Sequence, residues 1–320
     1  MPFKDIKGQR QALNIIKAGI ESQRLEGGYL FTGPASIGKK MAAVAFSQAV
    51  NCYSLSKADA CAECPSCKKI AKNQHPDVRL FSEETGEIKT EIIRDMQKWI
   101  FLKPYEGKFK VFIIDNAHML TPKASNRLLK VLEEPPKSSL IILITDRPNR
   151  LFKTVISRCK VVKFKPYNRD DLTKELEGSY GMSHSVAHFL AYFSEGRLGE
   201  ALRLRKDKII EERRAIIDKL KTPNSFNGIT SMIDSKEAFL FILKVFSSWF
   251  RDLYLLKHGL PVNKAINYDY TEELLSSSRQ MSILNIDRVL TTIYDAAFYS
   301  QYSINLRLLI LNLKAQIWER

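Results

Sequence analysis

The stretch that decides the fold is Gly27-Gly28-Tyr29-Leu30-Phe31-Thr32-Gly33-Pro34-Ala35-Ser36-Ile37-Gly38-Lys39-Lys40, which runs on through Met41 to Val50. Tyr29 to Thr32 is a short apolar run of the kind buried on both faces of a parallel sheet, and Lys39 to Val50 has helical spacing. The turn between them is rich in Gly and Pro. A strand, a glycine loop and a helix in that order present backbone N–H groups and a lysine to nucleotide phosphates. Gly33, Gly38 and Lys39 stand where a phosphate loop needs them. The position after Lys39 should be Ser or Thr, whose hydroxyl ligates Mg²⁺, but it is Lys40, and an ammonium has no lone pair to offer a metal. Two readings stay open at this point: a degenerate nucleotide loop that still holds phosphate, and a strand-to-helix turn that binds none.

Outward from this unit, Gln11 to Arg24 reads as an amphipathic helix, and Lys110 to Asp115 and Leu140 to Thr145 read as central strands. Between those strands Lys123 to Leu132 has helical spacing and stops at Pro135-Pro136, where a helix cannot continue. Val161 to Phe164 is strand-like, and after Pro166 the pattern is helical to the end. Pro223, Asn224, Asn227 and Gly228 suggest a second linker. The spacing therefore predicts an α/β unit over 1–165, a small helical unit over 166–222 and a helical unit over 223–320. Asp115 closes its strand where an acidic residue would orient Mg²⁺ through water. Asn116 follows it, where an ATPase places a carboxylate to polarise the attacking water, and an amide cannot accept that proton.

Apolar residues make up 45% of 320, enough for real cores, and 50 Lys and Arg against 35 Asp and Glu leave a net charge of +15. That excess favours nucleic acid, acidic protein surfaces or phosphate ligands. The first residues lack an apolar signal core and no run approaches the length needed to cross a bilayer, so a soluble cytoplasmic protein with no membrane partner is expected. Cys52, Cys61, Cys64 and Cys67 suit a closed, structural Zn²⁺ site with no open position for water. An iron–sulfur cluster is the rival, since Cys-x-x-Cys-x-x-Cys also occurs in ferredoxins. His75 reads as a loop residue. Cys159 stands apart.

Six ordered motifs carry a resemblance. Beside the phosphate loop and Asp115 they are Phe3-Lys4-Asp5-Ile6-Lys7-Gly8-Gln9, His75-Pro76-Asp77, Asn126 to Pro136 (Asn-Arg-Leu-Leu-Lys-Val-Leu-Glu-Glu-Pro-Pro) and Ser157-Arg158-Cys159. Together, over about residues 1 to 205, they resemble the clamp-loader subunits of bacterial DNA polymerase III. The resemblance implies an AAA+ fold, with a parallel sheet and flanking helices, followed by a helical lid and an all-α collar through which five subunits assemble. It also implies motor and clamp-opening partners, a sliding clamp and the backbone of primed DNA.

In this family Ser-Arg-Cys marks an ATP-hydrolysing motor and a non-hydrolysing partner subunit. Lys40 and Asn116 depart from the motor pattern, and Gly199 stands where the motor's lid carries a nucleotide-sensing Arg. The sequence also ends near the expected collar, where the long motor form would continue. These departures favour the non-hydrolysing kind, which belongs to the polymerase holoenzyme by complex membership, has no ATPase of its own and lends Arg158 as a finger to a neighbour. They argue against productive ATP and Mg²⁺ on this chain. An active ATPase and a zinc-containing nucleic-acid-binding protein are the alternatives. Lys68-Lys69, Lys103, Lys108, Lys110, Lys160, Lys163, Lys165, Arg203, Arg205, Lys206 and Lys208 supply the positive excess. Trp99, Trp249 and Trp318 sit in apolar helical patterns that suit core packing.

Overall fold

The computed structural model describes residues 2–23, 25, 27–83, 86–206, 209–302 and 304–318. The chain divides into two compact units, residues 1–167 with 197–200, and residues 168–196 with 201–320.

The first unit is built on a five-stranded, all-parallel sheet. Its strands are β1 (Gly27–Thr32), β2 (Val78–Ser82), β3 (Lys110–Asp115), β4 (Ser139–Thr145) and β5 (Cys159–Lys163), in the order β2-β3-β4-β1-β5. Phe31 and Tyr29 of β1 join Val111, Ile113, Ile142 and Ile144 in one core, and Leu30 joins Phe112, Ile114, Ile141 and Leu143 in the other. This is the two-residue alternation of a strand applied to three strands covered on both faces. Helices α1 (Arg10–Glu21) and α2 (Lys39–Val50) fill the first face with Leu13, Ile16 and Phe46. The short α3 (Pro65–Ala71) follows the cysteine-bearing insert. On the second face, α4 (Thr90–Ile100) and α5 (Pro122–Glu133) contribute Ile93, Trp99, Leu128 and Val131. A four-residue helix, α6 (Lys153–Ile156), leads into β5.

The sheet corrects the sequence reading in detail. The first helix ends at Glu21, and Arg24, its expected last residue, lies outside the described residues. The fifth strand begins at Cys159 and ends at Lys163, two residues before the expected start and one before the expected end. β2 was not anticipated. Lys110, counted in the positive excess and at the start of β3, is 4% exposed; its Nζ lies 3.2 Å from Asp77 Oδ1 and 4.3 Å from the Trp99 ring centroid. A lysine stem can lie along apolar surface, and its ammonium is tolerated there because a carboxylate meets it.

Asp77 also ties down the loop before β3. Its carboxylate accepts the backbone N–H of Tyr105, Glu106 and Gly107 at 2.8–2.9 Å. Burial alone would raise its pKa, but these donors and Lys110 reverse that and hold it at about 2. Because the folded value lies below that of an unfolded aspartate, the stabilisation is complete above about pH 4 and is lost as pH falls toward 2. Asp77→Ala is expected to lower the unfolding free energy by about 3–5 kcal/mol, since it strands a buried ammonium. Urea titration at pH 7 checks this, and a loss under about 1 kcal/mol would show that the loop is held otherwise.

The second unit is helical throughout its described residues: α7 (Arg169–Tyr180), α8 (His184–Phe193), α9 (Leu198–Lys206, whose first turn belongs to the first unit), α10 (Ile209–Lys219), α11 (Pro223–Phe226), α12 (Lys236–Lys257), α13 (Thr271–Gln280), α14 (Ile283–Tyr299) and α15 (Leu306–Trp318). The stretch read as a linker at Pro223 forms a helical turn. Thr222 caps it by accepting the Ser225 N–H, Pro223 occupies the first turn where no donor is needed, and Phe226 is fully buried. Arg213, 3% exposed, forks onto Asn267 and Asp269, and Asp252 accepts the N–H groups of Ile266 and Asn267, so α10 and α12 grip the same segment. Trp99 and Trp249 are core residues.

Candidate functional site

The phosphate loop leaves β1, an interior strand between β4 and β5, and enters α2, in the crevice at the carboxyl ends of parallel strands where such folds bind ligands. Gly33 is required there. Its φ is +142°, and a Cβ would lie 2.3 Å from the Phe164 carbonyl oxygen. Gly38, at φ +94°, turns the chain into the helix.

Lys39 is 7% exposed and folds back on its own loop. Its Nζ donates to the Gly33 and Pro34 carbonyls at 2.6 and 2.5 Å. Burial lowers its pKa to about 8, against the opposing pull of Asp146 and Asp115. Lys40 reaches across the crevice, and its Nζ lies 3.2 Å from Asp115 Oδ2. A tethered ammonium thus pairs with the carboxylate that would orient a magnesium ion. Asp115 is held further by Ser82 Oγ at 3.3 Å and the Asn116 N–H at 3.1 Å.

Asn116 has φ +53°, a conformation asparagine tolerates well, and its Nδ2 donates to the Glu83 carbonyl at 2.9 Å. A carboxylate there could not make that bond. Gly199 lies at the same loop: its N–H donates to the Ser36 carbonyl at 3.0 Å, and a Cβ would sit 2.7 Å from that oxygen. With this backbone no arginine fits at position 199.

Two residues at this crevice escaped sequence reasoning. Asp146, just after β4, lies 3.5 Å from His118 Nδ1, which also meets Thr145 Oγ1 at 3.1 Å. Burial lowers the His118 pKa, so the ring is held toward its neutral form. The available signal was only that both follow apolar strands at the sheet's carboxyl edge.

Arg158 immediately precedes β5, apart from the phosphate loop in sequence. Its guanidinium is partly exposed and pairs with Glu133 Oε1 at 2.6 Å and the Thr154 carbonyl at 3.0 Å.

Cys52, Cys61, Cys64 and Cys67 come together, with all four sulfurs within 4.8 Å of one another. A tetrahedron of Zn–S bonds of about 2.3 Å has edges near 3.8 Å, so the spacing suits a four-thiolate metal site. The Cys64 amide donates to Cys61 Sγ at 3.3 Å, and the Cys61 amide donates to Cys52 Sγ at 3.4 Å. The Cys64 and Glu63 amides hold the Cys61 thiol at about 6, while burial pushes Cys52 and Cys67 up. A bound cation would supply the charge that buried thiolates need. His75 is outside this group: it is buried, 3.2 Å from Ser66 Oγ and 3.4 Å from Glu106 Oε1. Cys159 is also apart, and burial raises its pKa to about 12.

Among the other basic residues, Lys68, Lys69, Lys103, Lys108, Lys160, Lys163, Lys165, Arg203 and Arg205 are exposed. Lys208 and the Lys206 side chain lie outside the described residues.

A central strand, phosphate loop and helix in a β2-β3-β4-β1-β5 parallel sheet define a P-loop protein of the AAA+ class. The family described as DNA polymerase III, delta subunit, matches residues 8–168. DNA polymerase III subunit delta' of Bacillus subtilis is 31% identical over 255 residues, 79% of this chain and 74% of that one. The tau subunit of Escherichia coli is 32% identical over 213 residues, 65% of this chain, and the match spans a third (33%) of its length. A crystal structure of a DNA polymerase III gamma subunit-related protein of Thermotoga maritima aligns with TM-score 0.46 at 18% identity, covering 97% of this chain and 99% of that one. The chain belongs to the family of DNA polymerase III clamp-loader subunits, with delta' among its relatives.

Proposed function

We propose that the chain is a non-hydrolysing, delta-prime-type clamp-loader subunit that helps load a sliding clamp onto primed DNA and supplies Arg158 to a neighbouring motor subunit. The observation that carries this reading is the Lys40–Asp115 ion pair, which sets a fixed cation where hydrolysis needs an exchangeable Mg²⁺. Identity alone does not separate the two kinds of relative, since delta' and tau match almost equally well. Lys40, Asn116 and Gly199 favour the non-hydrolysing kind, each altering a different part of the hydrolytic site.

In this reading residues 1–165 form the AAA+ module with a structural Zn²⁺, 166–222 the lid and 223–320 the collar of a pentameric hetero-oligomer in the cytoplasm. Support for a collar comes from α14 and its approach to α15, where Leu284, Tyr294, Phe298, Tyr302 and Leu308 are exposed. Apolar side chains displayed together in this way mark an interaction face. Mixed with the motor and clamp-opening subunits of its source organism, the chain should elute with both as one complex in size-exclusion chromatography. Separate elution of this chain at micromolar concentration would overturn the assignment.

A further inference from the structure

Beside the cysteine insert, the loop over 101–109 meets Asn51, Cys52 and helix α3. Lys69 Nζ pairs with Glu106 Oε2 at 2.6 Å, and Lys108 Nζ donates to the Cys52 carbonyl at 3.3 Å. Asn51 Oδ1 accepts the amides of Lys108 and Phe109 at 2.8 Å each, and Asp77 clamps the amides of 105–107. On this pinned frame two tyrosines face solvent: Tyr105 is 85% exposed and Tyr53 54%. They stand on joined segments: Lys69 pairs with Glu106, next to Tyr105, and Lys108 of the same loop reaches the carbonyl of Cys52, next to Tyr53. Lys68 in α3, Lys72 at its end and Lys108 in the loop are exposed.

We propose that this face binds single-stranded DNA, with bases stacked on Tyr53 and Tyr105 and phosphates met by Lys69, Lys72 and Lys108. Any base can stack on an aromatic ring, and lysines track the backbone charge, so separated rings among lysines suit a single strand without sequence preference. A duplex hides its base faces and would leave the rings without a role. An acidic peptide would use the lysines alone. Because Asp77 and Asn51 already fix the backbone beneath Tyr105, stacking requires little further ordering of the loop. The proposal stands on this surface and not on the phosphate loop, so it holds or fails independently of the clamp-loader reading.

The test is fluorescence anisotropy of the full-length chain with a labelled oligothymidylate of about 20 nucleotides, a length exceeding typical single-strand sites. Tyr53→Leu with Tyr105→Leu should weaken binding by roughly 100-fold, about ten-fold for each ring. The paired Tyr→Phe variant keeps the rings and should stay within a factor of about three of wild type. Lys72→Gln should reduce the salt slope by about 0.7. Equal affinity of the Leu and wild-type chains would overturn the proposal. So would displacement by a glutamate oligomer as effective as by unlabelled oligothymidylate, or equal, tyrosine-dependent binding of duplex.

Discussion

An Arg158→Ala chain is expected to fold and assemble normally, yet to slow ATP turnover at the neighbouring motor site it serves by about 10³-fold or more. The side chain stands just before β5, on a backbone fixed by the sheet, and is partly exposed. Its present partners are Glu133 and the Thr154 carbonyl. An exposed ion pair of this kind is worth only about 0–1 kcal/mol, so leaving it for a partner's γ-phosphate costs little, and removing it does little to the fold. The guanidinium stays charged when an interface excludes water and presents two parallel donors to phosphate oxygens. Lysine offers neither the fork nor the planarity, so Arg158→Lys should recover little. The measurement is clamp- and DNA-stimulated ATPase of complexes reconstituted with each chain at matched assembly. Unchanged turnover would remove the finger and leave the subunit a structural member.

Stripping metal from the cysteine insert is expected to produce the second large effect. The purified chain should carry one Zn²⁺, and its removal should cost several kcal/mol of stability, less than the ~10–16 kcal/mol of zinc-finger peptides because the sheet supports the insert from below. The loss should also reach the N-terminal segment. Asp59, within the insert, accepts the N–H groups of Phe3 and Lys4 at 2.7 and 3.1 Å, and Phe3 and Ile6 are buried. Elemental analysis with thermal unfolding before and after chelation checks both points. Low zinc with a visible charge-transfer band would indicate an iron–sulfur cluster instead, and an unchanged melting temperature would deny the insert a structural role.

The sequence made the central strands legible because β1, β3 and β4 are continuous apolar runs with clear stops. β2 was missed: Val78 to Ser82 is a short edge strand interrupted by Arg79, and only its parallel pairing with β3 defines it. That Pro223 opens a helical turn was not legible, because proline in a first helical turn looks the same in sequence as proline in a loop. At the site, Lys40 and Asn116 were visible as single departures from a pattern. That Lys40 pairs with Asp115 was not, because the contact joins the first turn of α2 to the end of β3, two positions from β1 in the sheet. The cysteine spacing announced a cluster, while the hold of Asp59 on the chain start and the burial of Lys110 against Asp77 are tertiary facts with no local signature.

The central claim is that this chain's own phosphate loop does not turn ATP over, and it is tested most directly by Mg²⁺-dependent ATP hydrolysis with the isolated protein. The Lys40–Asp115 pair and the amide of Asn116 predict no phosphate release above a protein-free control. Turnover at about 1 s⁻¹ or faster, abolished by Lys39→Ala, would contradict the account and identify the chain as an active motor.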